Sequence, residues 1–317
     1  MGTKMSGTSE NIRKQLIELL SDFEIKLKSP DLRNKVQAMI PILRGLRNLG
    51  KSLVPQDMAG AARDRILSYL RKYPHVVING DELLIISGIQ DWPRRVRELR
   101  VKFGWAILNG MTAKQMQSEG DLPKNNTAIV KMKPEDYILV DINQDRDAAH
   151  RWNLANTIRR KRISTQQRML EYLRENVNKP VTGEELRYVA KNASEWARRV
   201  RELRTQLGWP VTTINTGSPD LPIGFYILQA DRQSPEHDRA IPDSVRGEVL
   251  QRDDYRCTNC GWSHADYSPS DPRHLELHHK EFHIKGGSNK KQNLITLCTT
   301  CHDDLHRNYK KHDKIQQ

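Results

Sequence analysis

Near its C-terminus the chain reads Cys257-Thr-Asn-Cys260-Gly261, then Leu275-Glu276-Leu277-His278-His279-Lys280, then Asn293-Leu294-Ile295, and finally Cys298-Thr-Thr-Cys301-His302-Asp303-Asp304-Leu305-His306. These are the only four cysteines of the 317 residues, and they form two CxxC pairs separated by 37 residues. Two residues between thiols let both sulfurs of a tight turn face one ion, and two such turns complete a tetrahedron. Zinc accepts four thiolates with no geometric demand of its own. Cys257, Cys260, Cys298 and Cys301 are therefore read as a structural zinc site, closed because four thiolates leave no open position. A redox CxxC is the alternative, but no thioredoxin-like βαβ pattern surrounds either pair, and redox chemistry leaves the pairing of pairs unexplained.

The histidines form a second group. Arg273–Leu277 alternates in polarity as a strand does, and it ends in His278-His279. Leu294–Leu297 is a second short apolar run. Cys301–His306 reads as a helix start, with His302 and His306 four residues apart on one face. Gly286-Gly287 lets the halves fold back on each other. From Ile241 to His306 the chain resembles HNH endonucleases of the ββα-metal superfamily, in the subgroup whose finger is braced by a four-cysteine zinc site. The resemblance implies that His278 binds a catalytic divalent metal and that His279 is the general base. It further implies that Asn293 orients the base's loop through hydrogen bonds and that His302 and His306 complete the metal's protein ligands.

The chemistry of these residues agrees. A neutral imidazole can take a proton from water near neutral pH. Adjacent strand residues point to opposite sides, so one histidine can hold an ion while its neighbour faces the water. Three imidazoles favour Mn²⁺, Ni²⁺ or Zn²⁺ over the oxygen-seeking Mg²⁺ as the catalytic divalent ion, without excluding Mg²⁺. The histidines can alternatively be ligands of a plain two-cysteine, two-histidine finger. Glu276 reads equally as a support for a histidine or as a strand residue. His274 and His283 read as solvent or phosphate contacts, and Arg273 as a residue reaching the scissile phosphate.

Upstream, the chain repeats itself. Trp92-Pro-Arg94-Arg95-Val96-Arg97-Glu98-Leu99-Arg100 returns as Trp196-Ala-Arg198-Arg199-Val200-Arg201-Glu202-Leu203-Arg204, at an offset of 104. Arg65–Leu70 and Gly80–Leu83 return as Arg168–Leu173 and Gly183–Leu186, and each copy is followed by Asp-Leu-Pro and a short strand. The order helix, short helix, Arg-rich helix, hairpin suggests a winged helix. Val96 and Leu99, or Val200 and Leu203, give the buried stripe, and Arg94, Arg95, Arg97, Arg100, Arg198, Arg199, Arg201 and Arg204 are the expected DNA contacts. A solvated helix or a protein-docking helix is the alternative. The first copy is fifteen residues longer between its Gly-Trp pair and its last strand, and the polar excess around Met111–Lys124 is expected to be a long wing or loop. Arg159-Arg160-Lys161-Arg162 is a basic cluster that either tracks a nucleic-acid backbone or is an ordinary solvated run.

Asn11–Lys28 and Asp31–Leu49 carry helical periodicity, with Pro30 at a helix start and Pro41 expected to kink or split the second helix. This hairpin packs on the first repeat or serves as a dimerisation element. Asp231–Pro242 reads as a polar linker. The expected fold is thus α+β and multidomain: a helical N-terminal segment (1–57), two winged-helix domains (58–141 and 165–231) joined by a basic linker (142–164), and a zinc-braced nuclease domain (240–311).

Composition sets the function classes. Fifty-two Lys and Arg against thirty-nine Asp and Glu give a net charge of +13, which suits a polyanion partner. No run approaches the roughly 18 apolar residues of a membrane helix. The start, Met1-Gly2-Thr3-Lys4-Met5-Ser6, lacks the apolar core of a secretory signal, so a cytoplasmic location is expected. The expected partner is double-stranded DNA, with a homodimer and a cognate DNA methyltransferase as further candidates. Two readers before a nuclease resemble restriction or defence endonucleases, some of whose zinc-braced relatives cut modified-cytosine DNA. A homing endonuclease, or a DNA-binding regulator whose finger is only structural, are the other readings.

Overall fold

A computed structural model describes residues 8–55, 59–123, 126–266, 271, 273–281 and 287–315. His283 and Gly286 lie outside the described residues, as do Met1–Ser6 and Lys124. The chain divides into two compact units, Met1–Gly110 with Met132–Ala149, and Met111–Lys131 with His150–Gln317.

The first unit opens with helices α1 (Ser9–Leu27) and α2 (Leu32–Ser52). Thr8 caps α1 by accepting the Asn11 N–H, and Asp31 caps α2 by accepting that of Arg33. Pro30 thus precedes the cap of α2. Pro41 does not split α2, which runs unbroken through it, so the one N–H that proline lacks is tolerated. Ile12, Leu16 and Ile42 form the hairpin's small buried core. Next come α3 (Ala62–Lys72), α4 (Gly80–Ser87) and α5 (Trp92–Val101), followed by β1 (Ala106–Asn109). Val96 and Leu99 are buried as their spacing requires, against Ile66, Leu70, Leu83 and Leu139.

The fifteen-residue excess is not a free loop. It holds helix α6 (Gly110–Ser118) and the short α7 (Thr127–Val130). Ala113 and Met116 are buried at helical spacing, and the chain from Met111 to Lys131 belongs to the second unit. The Gln115 side-chain oxygen accepts the Trp196 indole N–H at 2.7 Å, and its amide donates to the Ser194 carbonyl at 2.8 Å. Strand β2 (Tyr137–Asp141) then returns to pair antiparallel with β1.

The second unit continues with α8 (Ala148–Arg160), in the stretch read as basic linker, and α9 (Thr165–Arg174), β3 (Val181–Thr182), α10 (Gly183–Val189) and α11 (Trp196–Thr205). Strands β4 (Val211–Thr212) and β5 (Phe225–Leu228) complete a three-stranded sheet ordered β3-β5-β4. The repeats agree in their side-chain contacts. Each short helix is opened by a capping box, Asn79 with Glu82 and Thr182 with Glu185. Tyr69 donates to Glu82, and Tyr172 to Glu185. Trp92 meets Tyr137 edge-on, and Trp196 meets Tyr226 in the same way.

The repeats differ at their last arginine. Arg204, expected to contact DNA, is fully buried: its guanidinium reaches Asp243 at 2.5 Å and Asp121 at 3.1 Å. Burial pushes the Asp121 carboxyl up to about 6 even with Arg204 beside it, so the acid is still ionised at pH 7. Arg204 is thus a structural ion-pair partner and leaves the set of DNA-contact residues. Helix α12 (Asp243–Arg252), strands β6 (Leu275–His279) and β7 (Leu294–Cys298) and helix α13 (Thr299–Ile315) form the C-terminal part. Its core includes Val249, Leu250, Trp262, Leu277, Leu294 and Leu297. Among the described residues, no helix is long and apolar enough to cross a membrane.

Replacing Arg204 by Ala strands two carboxylates at a buried site. Urea unfolding of the second unit is expected to show a loss of about 3–5 kcal/mol, the usual effect of removing one partner of a buried ion pair. A change no larger than a surface substitution gives contradicts this role.

Candidate metal centre and adjoining histidine

The four cysteines are free thiols whose sulfurs all lie within 4.8 Å of one another. The first pair sits on a turn closed by Gly261 N–H donating to the Cys257 carbonyl, with Gly261 in the left-handed region at φ +77°. The second pair joins the end of β7 to the first turn of α13. The Thr258 N–H donates to the Thr296 carbonyl at 2.9 Å and ties the first turn to β7. Burial pushes the Cys257 thiol up, but backbone N–H groups outweigh it and bring it down to about 7. Burial raises Cys298 to about 12. Four neighbouring thiols cannot all ionise without a cation among them. A tetrahedron of 2.3 Å zinc–sulfur bonds has edges of about 3.8 Å, and Cys260 Sγ lies 3.7 Å from Cys298 Sγ. The residues fit a zinc ion.

Strand β6 pairs antiparallel with β7, from Leu275 opposite Cys298 to His279 opposite Leu294. All five residues of β6 are buried, so the alternation seen in the sequence separates two covered faces rather than core from solvent. His302 and His306 project from one face of α13 as their spacing requires, with ring centroids 4.6 Å apart. The three expected ligands His278, His302 and His306 come together, and a fourth group joins them. Asp238 lies on a single 3₁₀ turn, Glu236–Asp238, within the stretch read as linker. Its Oδ2 is 2.8 Å from His302 Nε2, 3.3 Å from His306 Nε2 and 3.4 Å from His278 Nδ1. Ligands bound at about 2.1 Å stand about 3.0–3.4 Å apart in octahedral or tetrahedral geometry. Three nitrogens and one carboxylate oxygen therefore fit a divalent transition metal.

Burial pushes the Asp238 carboxyl up, but bonds from the four histidines outweigh it and hold it far below the usual carboxylate range. Glu276 is settled as a support for a histidine: its Oε2 lies 2.5 Å from His302 Nδ1, so that nitrogen donates and Nε2 is left facing the centre. His302 is driven down by burial and up by Asp238 and Glu276, with a net rise to about 9. His279 is fully buried. Its Nδ1 lies 2.8 Å from Asp238 Oδ1 and its Nε2 lies 2.8 Å from Asn289 Oδ1. Burial lowers its pKa, but these two acceptors outweigh burial and raise it. The rings of His278 and His279 therefore do not serve unconnected sides: one carboxylate reaches both. Asn293 accepts the Glu281 N–H through Oδ1 and donates through Nδ2 to the Glu281 and Ser288 carbonyls, bridging the chain after His279.

Two expectations are corrected here. Arg273 is engaged by Asp271 at 2.7 Å and stacks over Trp262, beyond the cysteine end of β6. Six residues of extended chain, about 20 Å, separate it from His279, so it does not reach a phosphate held there. His274 is buried against Glu276 at 3.2 Å and meets no solvent. The sequence reading missed Asp238 and Asn289. Asp238 stands forty residues before His278 with no motif around it, and only its place between Pro235 and Pro242 marks a constrained segment.

On the Arg-rich helices, Arg94, Arg97, Arg198 and Arg199 are exposed, while Arg95, Arg100 and Arg201 are half-buried. Glu98 holds Arg94 and Arg95, and Glu202 holds Arg198 and Arg199; Arg201 pairs with Glu119.

Comparison with known proteins bears on both parts. The HNH endonuclease family matches residues 257–308. The C-terminal part is thus an HNH endonuclease domain. The KpnI N-terminal domain family matches residues 63–140 and 166–229, the two repeats. Over 70 residues the chain is 34% identical to the type IV methyl-directed restriction enzyme EcoKMcrA of Escherichia coli (strain K12), covering 22% of this chain and 24% of the relative. The chain thus spans about a quarter of the length of that curated relative. No solved structure matches.

With its pKa near 9, His302 is protonated at pH 7 and must lose that proton to bind a metal. Mn²⁺ affinity of the zinc-loaded protein should therefore rise from pH 6.5 to about 9 and then level off, with protons released on binding. Calorimetry in two buffers of different ionisation enthalpy checks this, and a pH-independent affinity contradicts it.

Proposed function

We propose that the chain is a metal-dependent, restriction-type endonuclease acting on double-stranded DNA. The observation that carries this reading is the convergence of Asp238, His278, His302 and His306 beside His279, on a thiolate-pinned pair of strands within an HNH endonuclease domain. Asp238, His278, His302 and His306 would hold a divalent ion, which when bound supplies positive charge to the scissile phosphate and the leaving oxygen. His279 would accept the proton of the attacking water at Nε2, the nitrogen that Asn289 Oδ1 faces at 2.8 Å and that this amide must yield to the water. Asn293 fixes the backbone that follows the base.

The two repeats are read as winged helices that grip DNA through Arg94, Arg95, Arg97 and Arg100 in one copy and Arg198, Arg199 and Arg201 in the other. Intrahelical glutamates pre-arrange most of these guanidiniums, and phosphates compete for them. The relative's methyl-directed activity favours methylated DNA as the target class. Such a target makes a protective cognate methyltransferase unnecessary.

One centre cuts one strand, and we infer that two copies act together. The face of α2 carrying Leu32, Val36, Ile40, Leu43 and Leu46 is exposed at helical spacing, with Leu32 at 73%. So extended an apolar stripe suits the matching stripe of a second copy. Sedimentation is expected to give a dimer that Val36→Glu with Leu43→Glu converts to a monomer accumulating nicked plasmid. A monomeric parent protein that makes double-strand breaks contradicts this.

His279→Ala should lower Mn²⁺-dependent cleavage about 10²–10⁴-fold while leaving DNA binding intact. Digestion of methylated and unmethylated genomic DNA, with sequencing of the fragment ends, tests the target. A parent protein loaded with both ions that leaves every duplex intact overturns the nuclease reading and leaves a DNA-binding regulator.

A further inference from the structure

We propose that Asp238 joins the metal site to the general base: Oδ2 is a metal ligand, and Oδ1 accepts the Nδ1 proton of His279, leaving Nε2 as the nitrogen that receives a proton. The proposal rests on the nuclease reading and adds to it a residue outside the segment that matches the HNH family, which begins at residue 257.

The two oxygens do different things. Around Oδ2 stand His302 at 2.8 Å, His306 at 3.3 Å and His278 at 3.4 Å, close to the separations of ligands that share an ion. Around Oδ1 stand two groups of His279, its Nδ1 at 2.8 Å and its backbone N–H at 3.1 Å. The backbone bond fixes the carboxylate against the strand end whatever the state of the ring. Asp238 is 2% exposed, so its charge is stable only when partners on both sides answer it.

The turn bearing Asp238 is held in place without a metal. Asp238 N–H donates to the Pro235 carbonyl at 2.9 Å, and Ser234 N–H to the Gly208 carbonyl at 2.8 Å. Arg239 Nε donates to the Ser234 carbonyl at 2.8 Å, and Asn289 Nδ2 to the Ala240 carbonyl at 3.0 Å. Asn289 thus contacts the base with its oxygen and the Asp238 segment with its nitrogen. Each ring nitrogen of His279 faces an acceptor, Asp238 Oδ1 at Nδ1 and Asn289 Oδ1 at Nε2. The carboxylate is the stronger of the two and is held by a second bond from the His279 N–H, so Nδ1 is the nitrogen that keeps its proton when Nε2 gives up its own.

The test uses the full chain with its zinc retained, in Asp238→Asn and Asp238→Ala. Mn²⁺ titration is expected to show at least about tenfold weaker binding in both, with zinc content and the thermal transition of Asp238→Asn unchanged. Side-chain ¹⁵N spectra of metal-free protein are expected to show His279 protonated at Nδ1 in the parent and shifted toward the Nε2–H tautomer in Asp238→Ala. Unchanged Mn²⁺ affinity in Asp238→Asn, or a parent His279 without a proton on Nδ1, overturns the proposal. Asp238→Asn keeps the side chain's size, so the affinity arm stands even where the alanine variant does not fold. Neither readout requires cleavage, so a parent protein that cuts no DNA overturns the nuclease reading separately.

Discussion

Four thiols packed within 4.8 Å of one another are the constraint on which the C-terminal part depends. Left alone they repel on ionising and are costly to bury. Around a zinc ion they become a closed tetrahedron whose binding energy is folding energy. Because Cys298 ends β7 and Cys301 lies in the first turn of α13, the tetrahedron fixes the start of α13 against the strand pair. The next residue, His302, faces Glu276, and one turn beyond it His306 faces Asp238. The register of β6 on β7 then sets His278 and His279 opposite Ile295 and Leu294. The placement of these histidines is thus inherited from the strand pair and the thiol cluster that braces it.

The centre beside it works by unequal distribution of charge. A buried carboxylate draws four imidazoles toward it, and a second buried carboxylate, Glu276, sets the ring orientation of one of them. Without an ion this arrangement favours protonated His302. With one, the same lone pair would become a ligand.

The sequence made some of this legible and hid the rest for physical reasons. Spacing alone identified the thiol pairs and placed His302 and His306 on one helical face, because local periodicity dictates both. The buried stripes of Val96 with Leu99 and of Val200 with Leu203 followed from the same rule. Asp238 was hidden because its partners are forty or more residues away and no local pattern encodes a contact at that distance. Arg204 was misread for a related reason. It repeats Arg100 in sequence, but its environment is set by Asp121 and Asp243, which reach it through tertiary packing. The stretch after Gly110 looked like a polar loop because few of its residues are apolar. Two of them, Ala113 and Met116, suffice to seat a helix.

We propose that this chain holds two metals in two distinct donor sets, four thiolates in one and three imidazoles with a carboxylate in the other. Anomalous diffraction from crystals of the Mn²⁺-soaked protein, recorded at the zinc and manganese edges, tests it most directly. Zinc is expected among Cys257, Cys260, Cys298 and Cys301, and manganese among Asp238, His278, His302 and His306. Zinc bound by a mixture of cysteines and histidines, or manganese away from Asp238, would contradict it.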